Sequence, residues 1–383
     1  MKIAIAPDSF KECLSAVEVA GAIAKGVRRA LPDCDTVCVP MADGGEGTVD
    51  ALVAATNGRI VELTATGPMG TPVATRYGLL GDGGSAVIEM AAVSGLPLVP
   101  PETRDPRIAT TYGTGELLRD ALDRGASRII IGLGGSATND GGAGAAQALG
   151  VSLRDAGGRE LPPGGAALAR LATIDLSRRH PRLHPCVLEV ACDVDNPLCG
   201  PTGASRVYGP QKGAAPAVVD ELDAALRHFG EVIEAQLGVP VLDVPGAGAA
   251  GGLGAGLVAF AGGVLRPGVD IVADACHLTS RIAGTELVIT AEGRIDGQTP
   301  HGKTPAGVAR AARQLGIPVV AIAGSLGPGH EAVHDCGIRE VIPIQAGTMP
   351  LAEAMARAPE LLAAAAERVA RAWARKHRRS RQT

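Results

Sequence analysis

An α/β protein with a parallel sheet and a second, inserted α/β domain is the fold class this sequence predicts. Three observations predict it. Short apolar runs at both ends of the chain (Lys2–Ala6, Thr36–Val39, Glu286–Thr290, Pro318–Ala323, Glu340–Ile344) alternate with segments of helical period. That is the βα rhythm of a sheet buried on both faces. The middle breaks this rhythm with strands separated by glycine turns, and 383 residues exceed what one core usually fills. Glycine-rich, acid-bearing junctions also follow one strand after another, as ligand loops do at the carboxyl ends of parallel strands.

The five terminal strands imply a flavodoxin- or Rossmann-like sheet of order 2-1-3-4-5 with right-handed crossovers. Residues 1–65 and 265–383 then form one discontinuous domain, residues 66–264 the insert, and the cleft between them the active site. In chain order, Lys2–Ala6 leads into the loop Pro7–Glu12. Ser15 caps a helix, Glu18 completes a capping box, and Val19, Ile23, Val27 and Leu31 step at helical spacing. Asp43 to Thr48 is another acidic glycine turn, and the helix from Val49 to Thr56 stops at Asn57-Gly58. Val61–Thr64, Val73–Leu80 and Ala86–Met90 read as strands, and Thr114–Leu122 as a helix.

Ile129–Leu133 is a buried strand that opens into Gly134–Gly142 and a small-residue helix, Ala143–Leu149. A strand, glycine loop and helix point backbone N–H groups at an anion, and Ser136, Thr138, Asn139 and Asp140 add groups that phosphate and magnesium need. Residues 157–187 give no pattern. Val187–Cys192 is a strand, and residues 216–237 form an amphipathic helix. Gly246–Gly256 reads equally as close helix packing or a ligand contact. The last third has helices Pro305–Leu315 and His330–Cys336, and a long helix from Leu351 to about Arg375.

Net charge is −4 with both signs interspersed, and there are one Trp, three Tyr and three Phe. Neither a nucleic-acid face nor stacking platforms follow. No apolar run approaches the ~20 residues that span a bilayer, and Met1 leads straight into a strand, so the expectation is cytoplasmic. Eight cysteines without a CxxC pair read as reduced, small hydrophobes. The basic run Arg375–Arg381 reads as a solvated, frayed end. A homodimer stays an open alternative.

Two motifs match by letter only. Gly297–Thr304 fits G-x-x-x-x-G-K-T, but Glu292–Asp296 separate it from its strand and Pro305 sits at a helix start. His330 and His334 fit H-E-x-x-H without a continuation. They leave a zinc hydrolase as one alternative function. A non-catalytic ligand-binding protein is another.

Five acidic junctions on one topological face suit phosphoryl transfer, in which carboxylates hold magnesium and cations neutralise phosphate oxygens. The motifs Ala6–Lys11, Ala42–Gly47, Gly132–Gly142, Asp193–Leu198, Gly209–Ala214 and Glu292–Asp296 together resemble the bacterial glycerate kinases, over Met1 to about Arg371. The resemblance implies ATP-dependent phosphorylation of glycerate, to 2-phosphoglycerate in most members, by a two-domain α/β enzyme without a Walker P-loop. Glu12-Cys13 departs from the commoner Gly-Ser. On this reading Asp193 is the favoured proton acceptor and Asp43 the second choice, with Lys11 also catalytic. Lys11 and Arg294 take glycerate's carboxylate, with Asp8, Ser9 and Asn196 around the substrate. Gly134, Gly135, Ser136, Thr138, Asn139, Lys212 and Lys303 face the ATP phosphates, and Asp140 and Glu292 face magnesium.

Overall fold

The computed structural model describes residues 1–345 and 349–380. Thirteen strands run along the described residues: β1 (Lys2–Ile5), β2 (Asp35–Cys38), β3 (Arg59–Thr66), β4 (Pro72–Leu79), β5 (Ser85–Glu89), β6 (Arg128–Gly132), β7 (Ser152–Arg154), β8 (Thr173–Asp175), β9 (Val187–Ala191), β10 (Val264–Arg266), β11 (Leu287–Ile295), β12 (Val319–Leu326) and β13 (Ile338–Pro343). The chain divides into two compact units. The first comprises Met1–Asp43, Asp50–Asn57 and Val269–Thr383, and the second Gly44–Val49 and Gly58–Gly268.

In the first unit β1, β2, β11, β12 and β13 make one parallel sheet of order β13-β12-β11-β1-β2. Taken as five strands in chain order, that is the expected 2-1-3-4-5. Ile3, Ile5, Leu287, Ile289 and Ile322 are fully buried in it, as unbroken apolar strands of a covered sheet must be. The helix Ala16–Ala30 carries the expected capping box at Ser15 and Glu18, and buries Val19, Ile23 and Val27.

That helix packs on the long helix Ala358–Ser380 through small residues. A β-carbon on Gly26 would overlap the carbonyl oxygen of Ala363 and lie 2.9 Å from the Ala366 methyl. Gly26→Val therefore pushes the two helices apart and is expected to cost about 1–3 kcal/mol of stability, read as a lower Tm.

The expected single helix from Leu351 is two, Leu351–Ala356 and Ala358–Ser380. Pro359 lacks the N–H an unbroken helix would need and its ring crowds the preceding turn. The second helix continues through Ser380, past the expected end near Arg375; Arg381, the last residue of the basic run, lies outside the described residues. His330–Cys336 is a 3₁₀ segment.

In the second unit β10, β9, β6 and β5 are parallel, and β4 and β3 continue the sheet antiparallel. β3 and β4 form the expected hairpin, Arg59 opposite Leu79. This pairing carries residues 59–65 into the second unit, and β10 carries the sheet past residue 264, so hydrogen bonding moves the expected limits. The helix Pro216–Leu237 is as expected, closed by Gly238 at φ 69°. The unread stretch 157–187 belongs to a small layer: β7 pairs with β8, and Leu153, Leu161 and Leu168 pack beside Leu226 and Phe229.

Candidate active site

The acids scattered along the first unit meet in space. β1 ends at Ile5 and the chain runs on as Ala6–Glu12; the Asp8 N–H donates to Ala291 of β11 at 2.8 Å, and Met41 donates to Pro7 at 2.9 Å. Those bonds tie the loops after β1 and β2 to the end of β11. Asp8, Asp43 and Glu292 thereby line one cavity of about 330 Å³ with Ser9, Lys11, Arg294 and Lys303. β11 stays paired with β12 as far as Ile295, so Glu292 and Arg294 project from a strand, a stiffer support than the loop expected after Thr290.

Asp8 is buried and Asp43 and Glu292 are half-buried, against a carboxylate's preference for water. Asp8 is 5% exposed and its carboxyl rises to about 6, through burial and then the neighbouring charge of Asp43. Hydrogen bonds from the Thr304 hydroxyl (2.6 Å) and the Ser9 N–H (2.6 Å) pull the other way, as does Lys11. Glu292 rises to about 7, through burial first, with Asp8 and Asp43 adding to it and Lys303, 3.3 Å away, opposing it. Arg294 is paired with Asp296 at 3.2 Å. Two carboxyls poised near neutrality beside three cations can bind a small anion and accept hydrogen bonds from its hydroxyls.

Glu12 closes the loop with φ 60°. A left-handed turn suits glycine better than a residue with a side chain.

Several expected site residues do other work. Lys303, expected at the ATP phosphates, lies in this first-unit cavity against Glu292. It caps the helix Thr304–Gln314, one residue earlier than a Thr304 cap. Gly297–Thr304 is therefore no P-loop.

The zinc alternative fails on geometry. In a 3₁₀ segment residues four apart do not share a face. The rings of His330 and His334 direct Nδ1 to the carbonyls of Gly327 and Ile338. Among the described residues no three His, Cys, Asp or Glu side chains form a metal site.

In the second unit only Gly134 and Gly135 of the glycine loop are exposed. Asp140 is fully buried, and its carboxylate takes the N–H groups of Thr111, Gly142 and Gly144 and the Thr111 hydroxyl, at 2.8–3.2 Å. Three of these donors converge on Oδ2 and one on Oδ1, so Asp140 braces the loop from within. Lys212 is buried too, donating to Ser136 Oγ and the Thr138 carbonyl, each at 2.7 Å. Burial brings its ammonium down to about 7. The Asn139 amide donates to Ser205 at 3.0 Å. Ser136, Thr138, Asn139 and Lys212, expected at the phosphates, make these contacts within the second unit.

The second glycine cluster explains this rigidity. Ala250, Gly251 and Gly252 take positive φ, Gly251 accepts the Gly141 N–H at 3.0 Å, and the two backbones touch with no side chain between them. Of its two readings, packing is the one the structure shows.

The Asn196 amide donates to the Thr202 carbonyl and its oxygen accepts from the Tyr208 hydroxyl, each at 2.7 Å, which fixes the side chain. Asp193 is exposed at the end of β9, where the Gly268 N–H donates to it at 2.9 Å. Reasoning from sequence missed Thr299 and Thr304; both are fully buried and donate to Glu292 and Asp8. Their signal was the letter match to a P-loop, which points to a different job.

Residues 3–374 match the model of the glycerate kinase family. A glycerate kinase of Bacillus subtilis strain 168 is 54% identical over 371 residues, covering 97% of this chain and 96% of that protein. A glycerate 2-kinase of Escherichia coli K12 is 54% identical over 370 residues, covering 97% of each. The crystal structure of a protein from Salmonella typhimurium LT2 assigned as a glycerate kinase 2 superposes with a TM-score of 0.92 at 53% identity, covering 99% of both chains.

Proposed function

Because the chain belongs to the glycerate kinase family, and is thus a phosphotransferase with an alcohol group as acceptor, we propose that it transfers the terminal phosphoryl group of ATP to the 2-hydroxyl of glycerate. The observation that carries this reading is the cavity in which Asp8, Asp43 and Glu292 face Lys11, Arg294 and Lys303. Glycerate is a small acid with two hydroxyls. Lys11 and Arg294 hold its carboxylate, and the acids of the cavity accept a hydrogen bond from the hydroxyl that does not react. The choice of the 2-hydroxyl leans on the name of the E. coli relative.

Gly134 and Gly135 offer the exposed backbone to which the nucleotide phosphates bind. Transfer then requires the occupied units to meet. Magnesium suits the acids, since such an ion is usually held by one or two carboxylates together with substrate phosphates. Asp8 and Glu292 would hold it, and its charge would offset that of the phosphates. The substrates belong to the cytoplasm, and no helix among the described residues is long and apolar enough to cross a membrane.

Asp193 takes the acceptor's proton. An exposed carboxylate fixed by a backbone N–H can orient a hydroxyl, which is most of what a loose phosphoryl-transfer transition state asks of a base. Asp193→Asn is expected to lower kcat by about 10²–10⁴-fold with an unchanged Tm. Near-normal turnover removes it from the role.

The function itself is tested with purified full-length protein, ATP, magnesium and glycerate, by coupled ADP release and ³¹P NMR of the product. A phosphate on C2 couples to one proton and gives a doublet. One on C3 couples to two and gives a triplet. Absence of ADP release would falsify the assignment, and a triplet would overturn the choice of hydroxyl.

A further inference from the structure

The segment Gly297–Thr304 matches a nucleotide motif by letter, yet its groups lie against carboxylates of the first-unit cavity. Thr304 opens the helix Thr304–Gln314 and donates its hydroxyl to Asp8 Oδ2 at 2.6 Å. Thr299 accepts the Asp296 N–H at 3.1 Å and donates to Glu292 Oε2 at 3.3 Å. Both threonines are fully buried. Lys303, between them in sequence, reaches Glu292 Oε1 at 3.3 Å. One segment thus grips both acids.

We propose that Thr299 and Thr304 are positioning residues, whose hydroxyls hold Glu292 and Asp8 in the orientation that receives the acceptor substrate. This rests on the reading of that cavity as the glycerate site.

The chemistry favours hydroxyls for the task. Two carboxylates in a poorly solvated cavity, with Asp43 close by, repel one another and gain by turning apart. A neutral donor fixes one oxygen of each without cancelling its charge, so the remaining lone pairs face the ligand at full strength. A second lysine would fix the acid and neutralise it together. Each hydroxyl is itself fixed: Thr304 by the first turn of its helix, Thr299 by the N–H it accepts. The arrangement is that of a second layer supporting a first.

The test compares Thr304→Val and Thr299→Val, which remove a hydroxyl at nearly constant volume, with Thr304→Ser and Thr299→Ser, which keep it. A hydrogen bond to a charged group corresponds to about 10–100-fold. The Val variants should lose that much in kcat/KM for glycerate, and in glycerate affinity measured by calorimetry without ATP. The Ser variants should stay within about threefold of the wild type. Val variants with wild-type kcat/KM overturn the proposal, and so do Val and Ser variants impaired alike, since packing would then be the cause. Thermal denaturation identifies a variant that fails to fold, and the pair at the other threonine then decides by the same criteria. Failure of the wild type to phosphorylate glycerate would instead strike the reading of the cavity.

Discussion

Glu292→Gln is expected to abolish most turnover and to make the protein more stable. Turnover should fall by about 10²–10⁴-fold, since a charged oxygen donor in the acceptor cavity becomes a neutral amide. Stability follows from linkage. Burial, reinforced by Asp8 and Asp43, raises the folded-state carboxyl from 4.5 to about 7, even with Lys303 opposing it. Between those values the folded state binds more protons than the unfolded one, so stability falls as pH rises through that window. At pH 8 the native protein carries a charge its surroundings disfavour. Glutamine removes it, for a gain of about 1–3 kcal/mol that shrinks to nothing as pH drops to about 4. Thermal melts of both proteins at pH 4.5 and pH 8 check this. A variant less stable than wild type at pH 8 would show that the Lys303 ion pair outweighs the burial. Wild-type activity should show the complementary limb, falling as Asp8 and Glu292 take up protons below about pH 6–7. This is the exchange of stability for function expected where like charges are gathered in a working site.

Gly251→Ala is expected to cost about 2–4 kcal/mol and to weaken nucleotide binding. Gly251 sits at φ 68°, and a β-carbon there would overlap the Thr138 carbonyl and approach Asn139 Cα to 2.6 Å. The backbone that would have to yield is that of the glycine loop, so the loop is displaced along with the loss of stability. Gly262 is the control. It has nearly the same φ, 66°, and a β-carbon added there would meet nothing within 4 Å. Gly262→Ala should cost only the left-handed backbone penalty of about 1 kcal/mol and leave nucleotide affinity alone. Equal Tm losses in the two variants would mean that the contact between the glycine segments is not holding the loop.

Much of the fold was legible because it rests on local chemistry. The capping box at Ser15 and Glu18, the helix ending at Gly238 and the hairpin of β3 and β4 are each set by neighbours in sequence. Short apolar strands alternating with helices leave few arrangements, and the order 2-1-3-4-5 is the common one. Where local signals were missing, as in residues 157–187, the structure depends on packing against a distant helix. Where a local signal was present but weak, as at Pro359, it went unread until the helix was seen to break.

The candidate site divides along the same line. The family, the class of chemistry and the acids at strand ends could be read from the order of residues alone, because these are properties of residue type and spacing. Which acids act together became visible only once the chain was folded. Asp8, Asp43 and Glu292 share one cavity, while Asp140, equally conspicuous in sequence, takes four hydrogen bonds from Thr111, Gly142 and Gly144. A carboxylate's role depends on whether its lone pairs are already taken and on how much water it has lost. Both are set by residues far away along the chain.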